Sequence, residues 1–185
     1  MSGERARLFV ALDLPADVRS ALFGWARAQV GGMARIRLVE PASLHVTLCF
    51  LGSRPVDEVD GIAAACAVVS GLPAATLALG PALWLPPRRP RVLTVELADE
   101  QGRLAAAQAV LARALVDTGV YEPEKRPFLA HVTVARVQRE GRPHRGQLPA
   151  PDPLRFPATT VTLYRSHTGS GPARYEPLAH VPLQG

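Results

Sequence analysis

Apolar residues along the chain fall into short runs with the period of a strand and longer runs with the period of a helix. Residues 8–12 (Leu-Phe-Val-Ala-Leu) form an uninterrupted apolar run, which predicts a buried strand. A helix is predicted next, because Pro15 suits a first helical turn and Gly31 with Gly32 suits its end. Between these limits one apolar face takes in Val18, Leu22, Trp25 or Ala26, and Val30.

The rest of the chain continues this mixture. Further strands are predicted over residues 35–39, 45–51, 74–79, 91–97, 131–137, 159–165 and 174–181, and further helices over 57–70 and 99–118. The apolar face of the last helix takes in Leu104, Gln108 or Ala107, Leu111 and Leu115. Prolines predict loops at 84–90 and 138–157. Because strands mostly alternate with helices, and several strand pairs are close enough for hairpins, the pattern predicts an α+β fold with outer helices and sheets that face a central cleft.

Two of the predicted strands begin with the same pattern of polar and apolar positions. The tetrapeptides His-Val-Thr-Leu and His-Val-Thr-Val start at positions 45 and 131, which are 86 residues apart. Side chains alternate along a strand, so His45 and Thr47 share one face while the valine between them points to the other. His131 and Thr133 are related in the same way. The repetition predicts a polar cleft lined by two equivalent strands.

This pattern suits acid–base chemistry at a phosphorus atom. A histidine with a pKa near neutrality can take a proton from a nucleophile or give one to a leaving group, and two of them can do both in one in-line displacement. A threonine two residues later can donate its hydroxyl to a phosphate oxygen. Neither histidine has an aspartate or glutamate beside it in sequence, so we expect no metal site. A single copy is more often an ordinary strand, but the second copy favours a functional site.

Composition narrows the class of protein without fixing its chemistry. Of the 185 residues 48% are hydrophobic and 20% are charged, which allows a substantial core and excludes a disordered chain. The net charge is +5 and the isoelectric point is about 10. This balance favours an anionic partner. Arginine is plentiful and lysine almost absent, which suits bidentate phosphate contacts but would also follow from a GC-rich genome.

The cysteines and the N-terminal segment indicate a cellular compartment. Cys49 and Cys66 do not form a CxxC motif or a disulfide framework, as is typical of a reduced protein. The first residues lead into a strand without a signal-like apolar stretch, and no apolar run reaches the roughly 18 residues of a membrane span. We therefore expect a soluble cytoplasmic protein that does not contact a membrane.

Four stretches together resemble the two-histidine phosphoesterase superfamily, and more specifically the bacterial and archaeal RNA 2′,3′-cyclic phosphodiesterases, historically called 2′-5′ RNA ligases. The stretches are residues 7–12 (RLFVAL), 41–52 (PASLHVTLCFLG), 127–136 (PFLAHVTVAR), and the closing hairpin with LYRS at 163–166 and GPARY at 171–175. The chain departs from the pattern of this family at two positions: Ala130 replaces the usual proline, and Arg37 stands where an aromatic residue is common.

The resemblance implies a bilobal fold, with two antiparallel-sheet lobes related by a pseudo-twofold axis and one His-x-Thr strand in each. It implies a single bilobal domain over residues 1–185, without a cofactor, that we expect to be a monomer. The implied reaction opens a 2′,3′-cyclic phosphate at an RNA 3′ end and leaves a 2′-phosphate. In the 2′-5′ ligation that named the family, a 5′ hydroxyl takes the place of water, so that the same bond to the 3′ oxygen breaks and a 2′-5′ linkage forms.

The resemblance also assigns roles to individual residues. One of His45 and His131 activates water and the other protonates the departing 3′ oxygen, and family analogy favours His131 as the base and His45 as the acid. Thr47 and Thr133 would bind the phosphoryl oxygens, and Arg136 would clamp the phosphate. Strict alternation places Arg136 on the face opposite His131, so it reaches the site only if the strand ends or bulges there. Otherwise it is a surface arginine at a strand end.

Other candidates are less specific. Phe9 and Tyr164 are possible stacking partners for the terminal base, although core packing suits Phe9 better. Ser166 and His167 are candidates for lining the cleft. By alternation, Cys49 follows the face of His45, where we expect a small apolar spacer in preference to a nucleophile. A basic cluster could contact the RNA backbone or could equally be a solvated loop: Arg88, Arg89 and Arg91. His144 and His180 have no motif around them, and we expect them to be structural residues.

Two other functions remain open on the sequence. The chain is alternatively a single-stranded RNA-end binding module whose cleft only holds termini, or a phosphodiesterase that acts on a small cyclic nucleotide. A pure binding module has no need of two symmetrically placed imidazoles, so the pattern favours the enzyme, with RNA 3′ ends that carry a 2′,3′-cyclic phosphate as its partner.

Overall fold

The strand-forming stretches pair into a nine-stranded sheet in the computed structural model, which describes residues 4–139, 146–167 and 173–185. The strands are β1 (Arg5–Asp13), β2 (Ile36–Leu38), β3 (His45–Pro55), β4 (Ala75–Leu85), β5 (Val92–Ala98), β6 (His131–Val137), β7 (Arg155–Ala158), β8 (Thr160–His167) and β9 (Arg174–Pro182). The α-helices are α1 (Ala16–Val30), α2 (Val59–Cys66) and α3 (Arg103–Asp117), with short 3₁₀ helices at Pro41–Ser43, Val56–Glu58 and Ala67–Val69.

The order of the strands divides the sheet into two antiparallel lobes. The order is β7-β4-β5-β6-β3-β1-β8-β9, and β2 pairs with β6. The first lobe consists of β3, β1, β8 and β9, and the second of β6, β5, β4, β7 and β2. They are joined where β3 meets β6, through one registered pair, Val46 with Val132. The predicted α+β fold with two antiparallel lobes is confirmed, and the lobes are halves of one continuous sheet.

Helices α1 and α3 cross between the lobes. Helix α1 follows β1 of the first lobe and contacts β2 and β6 of the second, whereas α3 follows β5 of the second lobe and contacts β3 of the first. Both bury the apolar face expected from their sequence, and burial settles the two open positions in favour of Ala26 and Ala107. Each lobe therefore packs against a helix that follows a strand of the other lobe.

Several boundaries differ from the predictions. Strand β3 continues past Gly52, which has a φ of 71° at an irregularity in the pairing with β1, and ends at Pro55. Strand β7 begins inside the predicted loop 138–157 and ends one residue after it, since Pro157 is tolerated on a strand at the sheet edge. The predicted helix 57–70 is one α-helix, α2, between two 3₁₀ turns. In the described residues no helix is long and apolar enough to cross a membrane.

Neighbouring positions on α3 provide a test of this packing. Leu111 is fully buried, whereas Val110 is 38% exposed. Leu111→Ala leaves a cavity and should lower the free energy of unfolding by about 2–5 kcal/mol. Val110→Ala, the matched control, should lower it by about 1 kcal/mol or less. Urea denaturation of both variants measures the difference, and equal losses would contradict the placement of this helix face.

Candidate active site

The two His-Thr pairs begin adjacent antiparallel strands and lie on opposite sides of the Val46–Val132 pair. In an antiparallel ladder the residue before one partner faces the residue after the other. This order sets His45 beside Thr133, and Thr47 beside His131, on the face of the sheet opposite the buried valines. The structure therefore brings together the four residues that the sequence analysis singled out first. They lie side by side where the two lobes meet, the region called the cleft below.

The backbone fixes the orientation of both imidazole rings in the same way. His45 Nδ1 lies 2.8 Å from the carbonyl oxygen of Ser43, and His131 Nδ1 lies 2.7 Å from that of Leu129. A carbonyl oxygen only accepts, so each Nδ1 carries a hydrogen and donates it. In the neutral ring Nε2 then carries no hydrogen and acts as a hydrogen-bond acceptor, in His45 from the Thr47 hydroxyl. His45 Nε2 lies 3.1 Å from Thr47 Oγ1.

The surroundings of His45 favour its neutral form. Burial of the ring lowers the pKa of His45 below its ordinary value of 6.5, and the positive charge of Arg136 lowers it further. The hydrogen bond to Ser43 and the carboxylate of Asp13 act in the opposite direction without reversing the shift. In the resting protein at neutral pH, His45 Nε2 is therefore able to accept a proton.

Each histidine strand contains a β-bulge directly after the threonine of its His-Thr pair. In β6, Thr133 faces Thr94 and Ala135 faces Leu93, so Val134 is the extra residue. In β3, Thr47 faces Ala11 and Cys49 faces Val10, so Leu48 is the extra residue.

Both bulged residues have hydrogen-bond partners for their carbonyl groups. Gln108 Nε2 of α3 donates to the Leu48 carbonyl at 3.3 Å. The Val39 N–H donates to the Val134 carbonyl at 2.9 Å. Contacts from elements that lie outside the β1–β3 and β5–β6 pairs thus stabilise the two irregularities.

The bulge in β6 changes the face of Arg136. One extra residue reverses the alternation, so Arg136 shares a face with His131 and Thr133 and is exposed, while Ala135 and Val137 are buried. The condition for Arg136 to reach the cleft, a bulge in the strand, is met. Its charge also lies close enough to His45 to lower the pKa of that residue.

The bulge in β3 overturns the expectation for Cys49. The same reversal turns Cys49 away from His45 into the core, where it is 1% exposed. Its sulfur lies near Gln108 and Tyr121, and burial raises its pKa to about 12. A thiol that is buried and protonated on the far face cannot serve as a nucleophile in the cleft.

Phe50 takes the place in the first lobe that Arg136 takes in the second, a feature the sequence analysis missed. Each lies five residues after its histidine and one residue after the reversal of alternation. Phe50 is 46% exposed, and the Arg7 guanidinium carbon lies 4.6 Å from its ring centroid. The sequence does contain a signal for Phe50, because Phe50 and Arg136 lie at the same distance from their histidines. That spacing places both side chains on the histidine face only because each strand has a bulge.

An aromatic cluster of Phe9, Tyr164 and Tyr175 packs beside His45. The Phe9 ring is 4.9 Å from His45, 5.3 Å from Tyr164 and 5.0 Å from Tyr175, measured between centroids. Phe9 is 4% exposed, so it has no free face for a base, in agreement with core packing. Tyr175, whose ring lies edge-on to His45 at 5.2 Å, is a further residue that the sequence analysis did not single out.

Asp13 holds the hydroxyl end of this cluster. Tyr164 Oη donates to Asp13 Oδ1 at 2.7 Å, and Thr162 Oγ1 donates to Asp13 Oδ2 at 2.7 Å. Burial and this hydrogen bond raise the pKa of Tyr164 well above its ordinary value. Tyr164 is thus half-buried and stacks on the Phe9 ring, and its hydroxyl is hydrogen-bonded to Asp13.

Carboxylates that are distant in sequence lie opposite both histidines. Asp13 of β1 faces His45, and Glu96 of β5 faces His131, a relation that only the strand register reveals. Among the residues with described positions, no group of three or more histidine, cysteine, aspartate or glutamate side chains is arranged to hold a metal ion.

The remaining candidates are dispersed. Ser166 is half-buried between Arg7 and Tyr175 in the register of β8. His167 contacts Glu176 at 2.7 Å, and His180 Nδ1 lies 2.8 Å from the Thr162 hydroxyl, so neither joins the two catalytic candidates. Three arginines of the β4–β5 connection are exposed: Arg88, Arg89 and Arg91. His144 lies outside the described residues.

Comparisons with known proteins agree with this geometry. The family model of the 2′-5′ RNA ligase superfamily matches residues 17–170. A protein of Escherichia coli K12 named RNA 2′,3′-cyclic phosphodiesterase is 30% identical over 95% of both chains. A protein of the same name from Thermus thermophilus is 34% identical over 70% of this chain and 68% of its own.

Solved structures show the same likeness over the whole fold. The crystal structure of E. coli LigT in complex with 3′-AMP superposes with a TM-score of 0.80 at 29% identity, covering 98% of this chain and 100% of the other. The crystal structure of a Thermus thermophilus protein, TT0787, gives a TM-score of 0.79 at 27% identity over 97% and 98% of the two chains. With two His-x-Thr strands in one cleft and a family model that spans most of the sequence, the chain belongs to the 2′-5′ RNA ligase superfamily.

Proposed function

We propose that this protein hydrolyses 2′,3′-cyclic phosphates at RNA 3′ ends to 2′-phosphates, by acid–base catalysis with His45 and His131. The observation that carries the proposal is the pairing of β3 with β6, which sets two oriented imidazoles and two threonine hydroxyls around one point. Relatives named RNA 2′,3′-cyclic phosphodiesterase support the substrate class.

The cleft residues divide the reaction between them. One imidazole takes a proton from water through Nε2 as the water oxygen attacks phosphorus. The other gives a proton to the 3′ oxygen as its bond to phosphorus breaks, which leaves the phosphate on the 2′ oxygen. Thr47 and Thr133 donate hydrogen bonds to the non-bridging oxygens, and Arg136 stabilises the charge that develops there.

Loss of either imidazole provides the first test. His45→Ala and His131→Ala should each lower kcat by at least about 100-fold, since general acid or base catalysis contributes factors of that order. The assay follows a short RNA with a 2′,3′-cyclic phosphate in excess EDTA and maps the phosphate in the product. His167→Ala, a histidine outside the cleft, is the control. Intact binding without turnover in the unaltered protein would favour an RNA-end binding module.

The direction of proton transfer has two competing assignments. The resemblance gives His131 the role of base, whereas the lowered pKa of His45 favours His45 as base in the free protein. A substrate with sulfur in place of the departing 3′ oxygen needs little protonation of its leaving group. It should therefore restore turnover in whichever alanine variant lacks the acid and leave the variant that lacks the base inactive.

The lowered pKa of His45 can be tested directly. Titration of its ring protons by NMR should give a pKa below 6.5, because burial and Arg136 both disfavour the imidazolium. Arg136→Gln removes the positive charge and should raise that pKa. If His45 is the base, the acidic limb of the kcat/KM profile lies below pH 6.5 and moves to higher pH in Arg136→Gln. Arg27→Gln, on the outer face of α1, should leave the titration unchanged.

Phe50 is our candidate for stacking on the terminal base, in place of the buried Phe9. Stacking of one base on an aromatic ring contributes about 1–3 kcal/mol, so Phe50→Ala should weaken RNA binding by roughly 5- to 150-fold. Val68→Ala is the control, because Val68 is also 46% exposed but lies in the Ala67–Val69 turn. Fluorescence anisotropy with a labelled RNA end measures both, and equal affinities would remove Phe50 from the site.

We further propose that the chain works as one bilobal unit and as a monomer in the cytoplasm. One chain supplies both His-Thr pairs, so the cleft needs no residue from a second copy. Sedimentation equilibrium of the purified protein tests the monomeric state.

A further inference from the structure

The second lobe places two arginines directly opposite each other beside the cleft. Arg37 of β2 faces Arg136 of β6 in the antiparallel register, and both side chains are exposed. Opposite residues of an antiparallel pair share a face, with Cβ atoms about 4.5–5.5 Å apart, and like charges in this position destabilise the sheet. Two guanidinium groups held together in this way are suited to anions between or beside them.

Both arginines line a groove whose wall includes two residues in contact with His45. Ser43 and Tyr175 are also in the wall of this groove. The Ser43 carbonyl accepts the hydrogen bond from His45, and the Tyr175 ring lies 5.2 Å from that histidine. Glu40 contributes a carboxylate to the same wall. The groove therefore extends from the surroundings of His45 to Arg37.

The number of charges separates the possible substrates. A cyclic phosphate diester carries one negative charge, and Arg136 together with Thr47 and Thr133 already supplies donors for it. Each further nucleotide of an RNA chain adds one more phosphodiester charge. A nucleoside 2′,3′-cyclic monophosphate has no such second charge for Arg37 to bind.

Positive charge extends beyond this pair in the same direction. The carbonyl oxygen of Arg91 accepts the Val137 N–H at 2.8 Å, so Arg91 lies next to the end of β6 that carries Arg136. Arg91 is exposed, as are Arg88 and Arg89 in the connection that precedes it.

We propose that Arg37 binds the phosphate immediately 5′ of the reacting nucleotide, which makes the protein selective for polynucleotide ends over nucleoside 2′,3′-cyclic monophosphates. The proposal rests on the phosphodiesterase function and specifies the substrate of that same cleft. The guanidinium of Arg37 donates to the phosphodiester oxygens, and the adjacent basic residues raise the local positive potential.

The test compares a dinucleotide that ends in a 2′,3′-cyclic phosphate with the matching nucleoside 2′,3′-cyclic monophosphate. The unaltered protein should show a kcat/KM at least about tenfold higher for the dinucleotide, the effect of one charge-assisted hydrogen bond. Arg37→Gln should bring that ratio close to one, and Arg37→Lys, which keeps the charge, should retain part of it. Arg27→Gln is the matched control and should leave the ratio unchanged.

Salt dependence and product binding keep this proposal separate from the phosphodiesterase function. The decrease of kcat/KM for the dinucleotide with rising salt concentration should become shallower in Arg37→Gln, because salt then screens one charge contact fewer. If the unaltered protein turns over neither substrate, the phosphodiesterase proposal fails, and the affinities for the 2′-phosphorylated dinucleotide and mononucleotide then decide the role of Arg37. A ratio that is equal in Arg37→Gln and in the unaltered protein, in turnover or in binding, would overturn the proposal.

Discussion

The contact between Val46 and Val132 is the constraint on which the cleft depends. Both side chains are fully buried, and each is flanked along its strand by a histidine and a threonine. Because the two strands are antiparallel, fixing this one pair fixes which histidine lies near which threonine. The rest of the two lobes can diverge on either side without disturbing that relation. A single apolar contact in the core thus determines a polar arrangement at the surface.

The two halves of the cleft are equivalent at the centre and different at the edges. The histidines share the same backbone hydrogen bond, and their strands share the same bulge. At the next exposed position the symmetry ends, with an aromatic ring at Phe50 and a guanidinium at Arg136. Acid–base chemistry requires two similar groups, whereas the recognition of a nucleotide requires distinct surfaces for the base and the phosphate. The repeated scaffold thus presents one matched pair of side chains and one unmatched pair.

Periodicity was sufficient to predict the parts of the fold where one face is apolar. Helix α1 follows directly from the spacing of Val18, Leu22 and Val30, and both histidine strands from their β-branched residues. Strand β7 could not be predicted, because its proline is acceptable only at a sheet edge, which is a property of the assembled sheet. Each His-Thr pair was predictable because its histidine and threonine are only two residues apart on one strand. Asp13, Glu96 and Phe50 were not, because their relation to the histidines depends on register and on bulges that the sequence does not mark.

The two bulges also determine which kinds of sequence change the cleft can absorb. A substitution at Leu48 alters a side chain on the buried face and leaves the direction of its neighbours as it was. Loss of the β3 bulge at unchanged length would instead restore strict alternation, so that Cys49 and Phe50 would exchange faces. The same holds between Thr133 and Arg136. The directions of Phe50 and Arg136 therefore depend on each bulge together with the number of residues in its segment, and a one-residue deletion preserves these directions only where the bulge is lost with it.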